Sequence, residues 1–124
     1  MRSNGQNPTI LLIDGDKSSR ELLRMHLGNA GYRTLEADDA VEGGRMLVEQ
    51  APDLVILEAE LPFMSGLDLI ATLAADHSAP CMPVVFLASS EEHRARAQQL
   101  GDACFMRPFY ADALLKVVGR LLVE

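Results

Sequence analysis

Five side chains carry the charges from which a site could be built. Asp14 and Asp16 follow one apolar run, Glu58 and Glu60 follow a second, and Arg107 precedes Pro108 near the end of the chain. Carboxylates facing a guanidinium suit a cation or a phosphate-like group, because their oxygens ligate metals and accept charge-assisted hydrogen bonds. Acidic residues at strand ends also serve as helix caps, and Asp16 has that simpler reading. The other polar candidates are weaker. His26, His77 and His93 lack ligand spacing and read as surface or boundary residues. Ser65, Ser89 and Ser90 read as caps and turn residues, since no histidine base is placed near them by spacing. Cys81 and Cys104 form neither a close metal pair nor a disulfide framework. They read as two buried or half-buried thiols in a reducing cytoplasm.

The charges are set by alternating apolar and amphipathic segments. Thr9–Ile13 is continuously apolar, as expected of a strand covered on both faces. Ser18 with Glu21 reads as a capping box opening a helix toward 28–31, with Leu23, Leu27 and Ala30 on one face. A weaker strand over 32–37 leads to a helix over 39–51, whose apolar residues are Val41, Met46, Leu47 and Ala51. Gly43 and Gly44 weaken that helix, and Pro52 ends it. A second apolar strand covers 53–57. After the turn at 61–66 comes a helix burying Leu67, Ile70, Ala71, Leu73 and Ala74. A third apolar strand covers 83–88, and Ser89 with Glu92 caps a polar helix ending near Gly101. A short strand over 103–106 precedes a last helix over 111–123, where Leu114, Val117, Val118 and Leu121 cover the sheet. Five strand–helix pairs in strict alternation imply a doubly wound parallel sheet with helices on both faces. In such a sheet ligands bind beyond the carboxyl ends of the strands, where Asp14, Glu58, Ser89 and Arg107 fall.

Composition limits the function. The 124 residues make one domain, 1–124, and 48% hydrophobic residues support a folded core. A net charge of −7 disfavours nucleic-acid binding. No apolar run is long enough to span a bilayer, and the polar stretch 1–8 is unlike a signal peptide, so a cytoplasmic protein is expected.

The segments LLIDGDKSSRELL, PDLVILEAELPFMSGLDLI, MPVVFLASS and RPF, in this order and spacing, resemble the receiver domain of two-component response regulators. The resemblance covers nearly the whole chain and implies a flavodoxin-like, five-stranded parallel sheet of order 2-1-3-4-5 with five helices. In that family two adjacent acidic residues after the first strand hold Mg²⁺, and an aspartate after the third accepts a phosphoryl group. A Thr or Ser after the fourth strand and a Lys before a proline contact the phosphoryl oxygens. Here Asp14 matches the first acid, but Gly15 takes the second place and Glu58 stands at the phosphoacceptor. Ala88 replaces the hydroxyl residue and Arg107 the lysine. The segment 101–108 is one residue shorter than usual, leaving open whether Cys104 or Phe105 fills the place of the family's aromatic switch residue.

Each departure has a physical consequence. Mg²⁺ needs octahedral oxygen ligation, so without a second acid no metal site is expected, or at most weak Mg²⁺ at Asp14 and Glu60. The extra methylene of Glu58 displaces its carboxylate, and a misplacement of about 1 Å costs roughly 10²-fold in rate. Glu58 then has two readings. It mimics a phosphorylated aspartate by pairing with the Arg107 fork, or it is idle with Arg107 elsewhere.

The expectation is a degenerate receiver, not an enzyme, working as a phosphorylation-independent protein-interaction module. The alternative is an atypical receiver that still accepts a phosphoryl group from a histidine kinase. A small flavodoxin-like enzyme or nucleotide binder is disfavoured, because no glycine-rich phosphate loop follows the first strand. Partners would be a signalling protein, such as a histidine kinase or output protein, or a second copy of the chain. Leu100, Phe105, Leu115 and Leu122 are the apolar candidates for that face, beside a lightly anchored helix over 91–100.

Overall fold

The computed structural model describes residues 7–123; the polar stretch 1–8 therefore lies largely outside the described residues. Strands β1 (Thr9–Ile13), β2 (Arg33–Ala37), β3 (Leu54–Glu58), β4 (Val84–Ala88) and β5 (Ala103–Met106) alternate with five helices. These are α1 (Lys17–Asn29), α2 (Ala40–Gln50), α3 (Gly66–Ala74), α4 (Glu91–Leu100) and α5 (Ala111–Leu121). The strands pair in parallel, as their alternation with helices implied, and in the order β2-β1-β3-β4-β5, as the family resemblance implied.

Strand alternation divides the core into two layers. Leu11, Ile13, Val55, Leu57, Phe86 and Ala88 face the layer that includes Leu47, Leu67, Ile70 and Ala97 of α2, α3 and α4. Ile10, Leu12, Leu54, Ile56, Val85 and Leu87 face the layer that includes Leu23, Leu27, Leu114 and Val118 of α1 and α5. Burial on both faces is why β1, β3 and β4 read as continuous apolar runs.

Polar side chains start four of the helices. Asp16 accepts the Ser18 N–H at 3.0 Å, so α1 opens on Asp16 rather than on a box built from Ser18 and Glu21. Asp39 accepts from Glu42, and Ser65 from Asp68. Ser90, not Ser89, accepts from Glu92 at the start of α4. In each case the cap lies where its oxygen reaches an otherwise unpaired N–H, which depends on backbone angles as well as residue type.

Gly43, which weakens α2 locally, has a packing role. A Cβ there would lie 2.6 Å from Ile13 Cδ1, so only glycine lets α2 approach β1 this closely.

Several burial expectations are corrected. Ala30 ends α1 in solvent, Val41, Ala51 and Ala74 are exposed, and Ala40, Gly43 and Leu69 are buried instead. Cys81 is exposed, while Cys104 is half-buried. Leu122 is only 8% exposed and packs with the α1–α5 layer, so it cannot serve a partner face. It lies one residue beyond α5, where the stripe expected to end at Leu121 continues inward. Leu115 is half-buried against the same layer. Leu100 packs against the opposite layer and lines a cavity of about 400 Å³ at the amino end of the sheet. That cavity contains none of the acidic-site residues.

Candidate functional site

Parallel pairing brings the strand ends together. Ile13 pairs with Leu57, Glu58 with Leu87, and Ala88 with Met106, so Asp14, Glu58 and Arg107 leave the sheet at one edge. The Arg107 N–H donates to the Ala88 carbonyl at 2.8 Å, fixing where its side chain starts.

Asp14 is the only buried charged residue among those described, at 3% exposure. Its Oδ1 accepts the Asp16 N–H at 2.9 Å, and Arg20 Nη1 donates to its carbonyl at 2.6 Å. Its Oδ2 accepts from Arg107 Nη2 at 3.3 Å. The same Nη2 donates to Ser19 Oγ at 2.9 Å and to Glu58 Oε2. Arg107 Nε also donates to Glu58 Oε2, at 2.9 Å. Both guanidinium contacts to Glu58 thus converge on one oxygen rather than forming two parallel bonds. The Arg107 Cζ lies 5.6 Å from the Phe109 ring centroid. Of the two sequence readings of Glu58, this geometry is the paired one.

Burial pushes the Glu58 carboxyl above its ordinary range, with Asp14 and Glu60 acting in the same direction, while Arg107 pulls it down. Desolvation prevails over the ion pair, as it often does for partly buried charges.

Gly66 holds the Glu58 backbone in place. Its N–H donates to the Ala59 carbonyl at 2.9 Å, and a Cβ would lie 2.0 Å from the Glu58 carbonyl oxygen. The start of α3 therefore lies directly on the end of β3. Gly15 is different, since a Cβ there would meet Pro62 Cδ at 3.4 Å, an ordinary contact. A side chain fits at position 15, and the missing acid is a matter of residue type rather than space. Ala88 is buried at the end of β4 and offers no hydroxyl.

Glu60 is directed outward, its side chain 67% exposed and one oxygen 3.9 Å from His93 Nδ1 on α4. The Mg²⁺ implied by the resemblance does not fit these donors. One Asp14 oxygen is used by the chain's own N–H, the other faces Arg107, Glu58 Oε2 is held by the guanidinium, and Gly15 has no side-chain oxygen. No group of three or more His, Cys, Asp or Glu among the described residues is arranged to hold a metal.

Cys104 pairs with Phe86 and joins the layer of α4, where burial raises its thiol. Phe105 belongs to the other layer, its ring centroid 5.6 Å from that of Phe109. As a half-buried member of that layer, Phe105 presents little surface to a partner on the α4 side.

Sequence reasoning missed Ser19, Arg20 and the approach of His93 to Glu60. Ser19 was detectable, because it precedes Leu23 and Leu27 by four and eight residues and so shares their inward stripe. Arg20 gave no such signal, since its second partner, Glu36 at 2.9 Å, comes from β2.

Comparison with known proteins adds the relatives. Residues 10–118 match the family model of the response regulator receiver domain. The chain is 32% identical over 104 residues to the phosphate regulon transcriptional regulatory protein PhoB of Pseudomonas aeruginosa, covering 82% of this chain and 45% of that protein. It is 32% identical over 125 residues to the transcriptional regulatory protein GltR of the same organism, covering 98% of this chain and 51% of that one. The chain thus spans about half the length of these curated relatives. The signal receiver domain of a signal transduction histidine kinase from Syntrophus aciditrophicus superposes with a TM-score of 0.84 at 28% identity. That alignment covers 93% of this chain and 89% of that domain.

Proposed function

The chain belongs to the response regulator receiver family, and we propose that it is a phosphorylation-independent interaction module within a two-component pathway. The observation that carries this reading is the guanidinium of Arg107 on Glu58, at the position where the family carries its phosphoacceptor aspartate. A carboxylate one methylene longer than aspartate, held by a cation from the end of β5, resembles a phosphorylated aspartate held by lysine. Gly15 and Ala88 support the reading, because the ligand and hydroxyl that phosphoryl transfer would use are absent.

The partner in this reading is a cytoplasmic signalling protein, a histidine kinase or an output protein, rather than nucleic acid. Its docking face is mainly polar. Among α4 residues only Ala97 is buried, while Arg94 and Arg96 pair with Glu91 and Asp68 at the surface. The leucines expected to serve that face are largely taken up by the core.

Intact-mass analysis after treatment with acetyl phosphate and Mg²⁺ tests the reading. The native chain is expected to gain no phosphate-sized mass, whereas a Gly15→Asp, Glu58→Asp, Arg107→Lys variant regains slow uptake. Phosphate on the native chain that Glu58→Gln abolishes would overturn it.

A further inference from the structure

Asp14 is almost wholly buried and next to a second, partly buried carboxylate, Glu58. Two such acids require a compensating cation, because an uncompensated charge in a desolvated site is costly. In this chain Arg107 supplies that charge. Its Nη2 lies between Asp14 Oδ2 and Glu58 Oε2 and also reaches Ser19 Oγ, so one nitrogen contacts oxygens from β3, α1 and the β1–α1 loop. Arg20 adds a second guanidinium at the Asp14 carbonyl, itself paired with Glu36.

We propose that Arg107 is the resident cation of this site, its guanidinium standing between Asp14 and Glu58 in place of a divalent ion. The domain then neither requires nor takes up Mg²⁺. Removing the guanidinium leaves the same two carboxylates as a weak divalent-cation site. Arg107 thus stands where the family has two separate cations, its lysine and its metal. An acid at position 15 would add a third carboxylate where two already face one guanidinium, so glycine there suits the arrangement.

The inference shares its residues with the proposed function, yet the two can fail separately. Mn²⁺ binding is measured by water-proton relaxation, and thermal unfolding is followed with 10 mM MgCl₂ against NaCl of equal ionic strength. The native chain, Arg107→Met and Arg107→Lys are compared. Native protein is expected to bind no Mn²⁺ in the millimolar range and to show no Mg²⁺-specific change in midpoint. Arg107→Met is expected to unfold earlier without metal and to bind Mn²⁺ at least about tenfold more tightly than native. Its midpoint should recover by about 3–6 °C with Mg²⁺. If Arg107→Met does not fold, Arg107→Lys carries the comparison, since its smaller head vacates part of the space.

Mn²⁺ binding by the native chain equal to that of the variants would overturn the proposal. So would folded variants that gain no divalent affinity. Acetyl phosphate treatment of the same native sample reads the proposed function independently. Phosphate uptake without native metal binding would sink that reading alone.

Discussion

Glu58 Oε2 receives both Nε and Nη2 of Arg107, while the Glu58 carboxyl is still pushed above its ordinary range by burial. An exposed ion pair would lower that pKa. Here removal from water outweighs the partner, so the pair is a positioned contact rather than a strong source of stability.

The pH dependence of stability follows from that direction. A carboxyl whose folded pKa lies above its unfolded value of 4.5 binds more protons when folded, so stability falls as pH rises through that interval. Glu58→Gln removes this titration and leaves the other groups in place. Urea midpoints followed from acid toward neutral pH should show the native chain losing stability relative to Glu58→Gln, then levelling. A relative gain with rising pH would contradict the assignment.

Ser19→Ala removes the hydroxyl that receives Arg107 Nη2. The expected loss is about 1.5 kcal/mol in chemical denaturation, the low end for one hydrogen bond to a charged group, because the site is only half-buried. An unchanged midpoint would show that Ser19 does not hold the guanidinium.

Gly66→Ala should be far more damaging than its size suggests. The new methyl would meet the Glu58 carbonyl oxygen at 2.0 Å, and a Cβ fixed to the backbone and a backbone carbonyl cannot turn aside. A loss of about 3 kcal/mol or more, or failure to fold, is expected. Gly15→Ala, which meets only ordinary contacts, should stay close to native in the same assay.

Phe63 is 86% exposed and has φ +74. An aromatic residue in that region costs about 1–2 kcal/mol, and here little burial offsets it. Phe63→Gly is expected to raise the thermal midpoint by a few degrees, corresponding to about 1 kcal/mol. A lower midpoint would show that the ring contributes to the folded chain.

The regular elements were legible because their signals are local. Apolar runs such as Thr9–Ile13 and Val84–Ala88 have the pattern of strands buried on both faces, and the pattern held. The helix starts were less legible. Asp16 and Ser90, each also read as a cap from the sequence, prevail over the boxes opened by Ser18 and Ser89, because several adjacent residues can accept the same bond and backbone geometry selects one. Leu122 was misjudged because the packing at the end of α5 depends on how the helix lies on α1 and the sheet.

The sequence by itself determined the alternation of strands and helices and the acids at two strand ends, which are matters of residue type and short spacing. That Gly15, Glu58, Ala88 and Arg107 depart from a pattern is what the family resemblance implies. Only the tertiary structure decided that Arg107 reaches both Glu58 and Asp14, with Ser19 joining from α1. Those residues are up to 93 positions apart, and the long arginine side chain has many rotamers. Its choice among them follows from the buried negative charge it faces, which arises only when parallel pairing brings β1, β3 and β5 to one edge.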